Sequence, residues 1–243
     1  RDRPGDLQDH LSRSGQISLG QGLRGNELPK YTVKQGDHLS KIANEHGFTD
    51  YRAIWDHPSN ADLKKKRENP NILQAGDVVH IPEKELKTET GSTEQRHRFK
   101  AKIPTVMLRV VFKDFDDKPI ADKECELNLD GRVFTLKTDG QGKIEQRIPA
   151  FAETGLLTFK DPEVPFDPLP VRIGHLDPAD EVSGWQARLN NLGYPAGPVD
   201  GKMNDQLKGA IEEFQCDAFK NAGQVDGKCG PNTIAKLKKV YGC

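Results

Sequence analysis

Apolar residues along this chain follow three different rhythms, and each rhythm predicts a different kind of module. Near the front, Tyr31 and Val33 alternate with polar neighbours up to Gly36, after which Leu39, Ile42 and Ala43 take helical spacing. The segment closes on a strand, Val78–Ile81, ended by Pro82. From about 104 to 160 the period is two. Val106, Leu108, Val110 and Phe112 alternate with Met107, Arg109, Val111 and Lys113, and Cys125, Leu127 and Leu129 alternate again. Asp130-Gly131 predicts a two-residue hairpin into Val133–Leu136. Thr138-Asp139-Gly140-Gln141-Gly142 turns the chain into Lys143–Ile148, and Leu156–Phe159 completes the set. Short strands so spaced predict a β-sandwich. The prolines at 162, 165, 168 and 170 then predict a stiff connector over 161–170.

Beyond about 175 the period becomes helical. Asp177-Pro178 offers a cap and a first-turn proline for a helix with Val182, Trp185, Leu189 and Leu192 on one face, stopped by Gly193. Asn204 caps a second helix striped by Leu207, Ala210, Ile211 and Phe214. Pro231 starts a third, with Ile234, Leu237 and Tyr241 inward. Val199-Asp200-Gly201-Lys202 returns as Val225-Asp226-Gly227-Lys228, each copy opening onto a helix. A loop-plus-helix unit this short cannot bury its own apolar face, so the copies must pack on each other. The expected fold class is multidomain α+β: a βααβ module, a central β-sandwich and a C-terminal three-helix bundle. The expected boundaries are a flexible tail over 1–29, the first module over 30–84, a linker over 85–103, the sandwich over 104–173 and the helical module over 174–243.

Composition narrows the function. The 36 basic and 37 acidic residues nearly balance, which favours neither nucleic acid nor an anionic membrane as partner. No apolar run is long enough to span a bilayer. The chain begins at Arg1 rather than Met and is expected to be a fragment or a processed form, with its export route unreadable. Cys125 reads as a buried free thiol. Cys216, Cys229 and Cys243 crowd the last module, where one disulfide would leave a cysteine over and connectivity stays open. A zinc site is disfavoured, with no Cys-x-x-Cys pair and no His-Glu-x-x-His.

The front motif Tyr31-Thr32-Val33-Lys34-Gln35-Gly36-Asp37-His38-Leu39-Ser40-Lys41-Ile42-Ala43, with Asn69-Pro70-Asn71-Ile72-Leu73 and Ala75-Gly76-Asp77 further on, resembles a LysM domain. A run from Asp56 to Glu68 makes the connection longer than usual, and this extended form resembles LysM domains associated with phage tails and type VI secretion. At the other end, Leu192-Gly193-Tyr194, the two Asp-Gly loops, Phe214-Gln215 and Gly230-Pro231-x-Thr233 resemble the three-helix peptidoglycan-binding domain attached to bacterial wall hydrolases. The first copy departs from that pattern, with Met203-Asn204-Asp205-Gln206 after its loop. The stretch Lys118–Ala121 through Gly142 resembles transthyretin-like or carboxypeptidase-regulatory-like sandwich domains.

The LysM resemblance implies a shallow groove for N-acetylglucosamine units between the first strand–helix loop and the loop before the last strand. Residue by residue, that picks Gly36, Asp37, His38 and Leu39, with Pro70, Asn71, Ile72 and Leu73. Exposed backbone groups there would meet the acetamido group, and Ile72 and Leu73 would cover its methyl; equally, Leu39 and Ile72 can serve the core, and Asp37 can cap the helix. The second resemblance picks Tyr194, Phe214 and Gln215 as the second wall-binding set, with Asp200 and Asp226 as loop formers. Lys64-Lys65-Lys66-Arg67 reads as a solvated helix face, Trp55 and Trp185 as core anchors, and Asp114, Asp116 and Asp117 as a strand-end turn rather than a calcium loop.

These features together predict a non-catalytic peptidoglycan-binding protein of the bacterial envelope or of an injected or secreted particle. No catalytic residues, cofactor or metal are expected. Injection-system spike or effector proteins are the expected further partners. The alternatives are an adaptor with vestigial sugar binding, and a wall hydrolase whose carboxylate pair has no visible signature.

Overall fold

The structure, a computed structural model, describes residues 28–84, 94, 96, 103–114, 116–164, 166, 168–219 and 221–243. The tail expected over 1–29 and the linker expected over 85–103 fall almost wholly outside these residues.

In the first module β1 (Lys30–Thr32) pairs antiparallel with β2 (Val78–His80), Tyr31 opposite Val79. Helices α1 (Leu39–Glu45), α2 (Arg52–Trp55) and α3 (Ala61–Lys66) lie between them. The expected βααβ order therefore gains a helix, which forms inside the run from Asp56 to Glu68. Pro58 opens a 3-10 turn ahead of it, and the unbranched residues that follow favour helix. Asn60 fastens this insertion to the sheet: its side-chain amide donates to the carbonyls of Ile54 (2.9 Å) and His80 (2.8 Å), and its oxygen accepts from the His80 amide (2.8 Å). Leu39, Ile42, Ile54, Val79 and Trp55 are buried in the module's core, so Trp55 is an anchor.

The sandwich pairs β3 (Thr105–Val111) with β6 (Lys143–Pro149) in one sheet. The other has the order β5 (Arg132–Lys137), β4 (Glu124–Leu129), β7 (Thr154–Phe159), β8 (Leu169–Arg172). Leu127 faces Phe134 on one side and Leu157 on the other. Cys125, Leu127, Leu129, Ile144, Ile148 and Leu157 fill the space between the sheets, with Phe112 edge-on to Phe159. Asp130 and Gly131 both take positive φ, the geometry of the expected tight hairpin. The proline-rich connector differs from expectation at its end. Residues 169–172 form β8, and Pro170 is accommodated because β8 is an edge strand, where a missing amide costs no ladder bond.

The last module is built from α4 (Val182–Asn191), α5 (Asp205–Ala218) and α6 (Pro231–Tyr241) around Leu189, Leu207, Ile211, Phe214 and Leu237. Asn204 caps α5 by accepting from the Leu207 amide at 2.8 Å, and Pro231 opens α6, both as expected. Asp177-Pro178 does not cap α4, which starts only at Val182. Asp177 is instead buried and accepts a hydrogen bond from the Gln35 side chain of the first module at 3.3 Å.

That contact belongs to a seam joining the modules, centred on Arg67. Expected on a solvated face, the Arg67 side chain is only 1% exposed. Its guanidinium grips Asp77 in bidentate fashion, Nε to Oδ2 at 2.8 Å and Nη2 to Oδ1 at 3.2 Å. Its outer edge reaches Asp180 and Glu181, at the start of the last module, at 3.4 Å each. Lys66 adds a second cation to Asp77 at 3.1 Å, while Lys64 and Lys65 stay in solvent as expected. Burial alone would raise the Asp77 carboxyl, but Arg67, the Gln74 amide and Lys66 overcome it and hold the group below the usual carboxylate range. Lys41–Glu153 (2.7 Å) and Lys238–Glu68 (2.8 Å) complete the seam.

Arg67→Met should leave Asp77 buried without its main partner and cost about 3 kcal/mol in urea unfolding. Because the Asp77 pKa is depressed on folding, the pair's contribution is present at neutral pH and should fade as pH drops below about 4.

Candidate functional site

Both walls of the predicted sugar groove are shaped by one turn used twice. In Gln35-Gly36-Asp37 and Ala75-Gly76-Asp77 each glycine takes positive φ (87° and 94°), a conformation that side chains resist. Each aspartate amide donates to the carbonyl three residues back, Asp37 to Lys34 at 3.1 Å and Asp77 to Gln74 at 3.0 Å. Each carboxylate in turn accepts from that same residue's amide, at 2.9 Å for Lys34 and 3.0 Å for Gln74. The Tyr31 hydroxyl also donates to Asp37 at 2.7 Å; burial and this bond push the phenol's pKa up. Asp37 thus organises the loop and does not cap α1. The cap is His38, whose Nδ1 accepts from the Lys41 amide at 3.4 Å.

The structure does bring the two predicted stretches together. The Leu39 amide donates to the Pro70 carbonyl at 3.1 Å, and the Ser40 hydroxyl donates to Asn71 Oδ1 at 2.9 Å. Ser40 is thereby a link between the walls. Pro70, Asn71 and Ile72 keep partial exposure, whereas Leu73 is core. On the first wall Asp37, His38 and Leu39 are 4%, 2% and 0% exposed, which leaves Gly36 as its accessible member. The His38 ring is buried, with Nε2 lacking any hydrogen-bond partner. Burial pushes this imidazole below its ordinary value.

The last module repeats a motif of its own. Gln186 Oε1 accepts from the amides of Asp200 (3.0 Å) and Gly201 (2.9 Å), while its Nε2 donates to Asp200 Oδ1 (2.9 Å) and the Lys202 carbonyl (3.2 Å). Gln215 makes the same four bonds with Asp226, Gly227 and Lys228, and a fifth to Thr233 Oγ1 at 3.0 Å. Each Asp-Gly loop is pinned by a glutamine from a neighbouring helix. Gln215, expected at the wall-binding surface, is 1% exposed with both ends of its amide engaged, and Phe214 is equally interior. Those side chains shape the module, and Gln215 also stands in the lining of a cleft beside the second Asp-Gly loop. Tyr194 is half-buried, edge-on to Phe214 and donating to Asp217 at 2.9 Å; burial and Asp217 push its pKa up. Gln186 went unnoticed in the sequence although it is the partner of Gln215.

Two clefts remain. One of about 250 Å³ opens beside the second Asp-Gly loop, lined by Phe219, Gln224, Asp226, Lys228, Pro231 and Asn232 among others. Another of about 320 Å³ lies where the α1–α2 loop meets the sandwich, between Phe48, Asp50, Tyr51 and Arg52 on one side and Pro104 and Thr105 on the other. All four cysteines are free thiols, so no pairing among Cys216, Cys229 and Cys243 is made. Cys229 is pushed up to about 12 by burial, which keeps it a thiol. Asp114 accepts from the amides of Asp116 and Lys118 as a turn former. Among the described residues no cluster of His, Cys, Asp or Glu is arranged to hold a metal ion.

Gln215→Ala should cost about 2–3 kcal/mol in thermal or urea unfolding by stranding two amides, and Gln186→Ala somewhat less, having no bond to a threonine. A second outcome follows from His38, which Asp37, Lys41, Asn71 and the backbone of Ala150 face, with Gly174 against its ring. Its pKa is lowered on folding, so its stabilising contribution is present above about 6.5 and shrinks as pH falls through that value. The melting temperature of the parent should drop more steeply between pH 7 and 5 than that of His38→Asn.

Residues 31–56 match the family model described as "LysM domain", the match ending where the insertion begins. Residues 178–237 match the one described as "Putative peptidoglycan binding domain". No curated protein and no solved structure matches the chain. The chain therefore carries a LysM domain near its front and a peptidoglycan-binding domain at its C-terminal end, both of them binding rather than catalytic modules.

Proposed function

We propose that this chain is a non-catalytic anchor that holds peptidoglycan at two points. The observation that carries this reading is the presence of two unrelated wall-binding modules on one polypeptide. In the last module the proposed contact is the cleft beside the second Asp-Gly loop, with the half-buried Tyr194 as a separate candidate. In the LysM module it is the groove between Gly36–Leu39 and Pro70–Leu73, with Asn71 and Ile72 as the members open to a sugar and Gly36 lying against His175. The site of action is the cell envelope, and no helix among the described residues is long and apolar enough to cross a membrane.

Each module alone is expected to bind weakly. Two sites on one polymer gain roughly 10²-fold or more through effective concentration, provided both can engage at once. Positioning an effector or spike protein of an injection system is a further role that rests on the resemblance of the insertion alone. A second reading, an adaptor in which the LysM fold serves protein docking, is favoured by one observation: the insertion carries Arg67, which joins the first module to the last.

The whole chain should sediment with insoluble purified sacculi and stay bound at high salt. Filling the C-terminal cleft with Asn232→Trp should weaken retention by about tenfold, the effect of losing a contact worth about 1.4 kcal/mol. A parent protein that stays in the supernatant would overturn the reading.

A further inference from the structure

The segment between β8 and α4 lies against the first wall of the LysM groove. The His175 ring sits so close to Gly36 that a methyl group added there would meet Nε2 at 2.9 Å. Gly174, with φ +77°, rests on the Gly36 carbonyl and beside His38 Cδ2, and any side chain at 174 would collide with that carbonyl. Gln35 is tied to Asp177 at 3.3 Å, and Arg67 draws in Asp180 and Glu181. Ile173, which opens this segment, is itself rooted in the sandwich core. The cover is thus held at both ends.

What lies beneath the cover is unfinished. His38 Nδ1 accepts from a backbone amide, so the neutral ring carries its proton on Nε2, and that buried donor makes no well-formed hydrogen bond, with the backbone of Ala150 and the Asn71 side chain facing the ring. A buried donor left unpaired costs free energy, and it marks a position that an incoming acceptor would complete. An acetamido carbonyl or a sugar hydroxyl is such an acceptor.

We propose that the 173–177 segment masks the LysM groove, so that N-acetylglucosamine chains reach its first wall only when this segment separates from Gly36, a separation that the contacts of the C-terminal module with Arg67 oppose. The proposal rests on the groove being a glycan grip, as argued above. The masked protein engages the wall through its last module alone. Undocking frees the second grip and lets both act on one polymer. The ion pairs on the outer edge of Arg67 suit a latch: Asp180 and Glu181 are 63% and 39% exposed, so solvent competes for them, while the inner pair with Asp77 stays in place.

The test uses the full chain and chitotetraose as probe, with the double charge reversal Asp180→Lys/Glu181→Lys and, independently, Gly174→Ala. Amide hydrogen exchange over residues 35–41 reports whether the wall is uncovered, and calorimetry reports affinity. The undocked variants should exchange faster there and bind at least about tenfold tighter than the parent, because a state populated one part in ten lowers apparent affinity by that factor. Equal affinity of parent and uncovered variants would overturn the mask while leaving the anchor intact. Uncovered variants that ignore chitotetraose while the parent still sediments with sacculi would also overturn it, and would assign wall binding to the last module. Variants that neither exchange faster nor bind tighter would show that these contacts are not the latch. Loss of sacculus binding by the parent would instead remove the reading on which the mask depends.

Discussion

The ion pair between Arg67 and Asp77 ties the modules of this protein into one arrangement. A guanidinium taken almost wholly out of water is tolerable only where a carboxylate meets it face to face, and Asp77 does so with two parallel bonds. Asp77 in turn is locked by the turn that leads into β2, so the pair connects the insertion to the β1–β2 ladder. Only after that inner pair is satisfied does the outer edge of the guanidinium remain to recruit Asp180 and Glu181. One side chain thus supports the LysM fold and sets where the C-terminal helices sit.

Repetition is the second organising device. Two glycine–aspartate turns bracket the groove, and two Asp-Gly loops pinned by Gln186 and Gln215 brace the helical module. In both cases a short polar side chain satisfies backbone amides that a tight loop would otherwise leave unpaired. This economy matters in modules too small to bury a large core. It also explains why residues that look like ligand contacts turn out to be interior: a polar side chain in a small module is often the frame of the site rather than its surface.

A protein built from two grips must reconcile affinity with release. If both grips were open and suitably spaced, multivalency would hold the chain on the wall nearly permanently. Covering one of them with a segment rooted in the sandwich makes the strength of attachment depend on the position of the last module. The exposed outer salt bridges place that position within reach of modest perturbations.

Much of the architecture was legible in the chain itself. Alternation announced β3–β7, Asp130-Gly131 announced its hairpin, Asn204 and Pro231 announced α5 and α6, and the residues around Gly36 and around Asp226 carried both family resemblances. These are local signals, because turn chemistry and hydrophobic period act over a few neighbouring residues. Strand β8 was missed, since a proline argues against it locally and only pairing with β7 makes it stable, while Lys64–Arg67 read as a helix face but not as part of a third helix within the first module. The groove residues were found as a set, but their exposure was not. Gln186 lies 14 residues before its aspartate and Gln215 only 11, so no fixed spacing betrays the shared role. Arg67 reads as surface by every neighbour it has in sequence. Its burial, the cover over Gly36 and the unpaired ring of His38 arise from contacts across more than a hundred residues, and free energy of that kind is decided by how three modules pack, which no local pattern encodes.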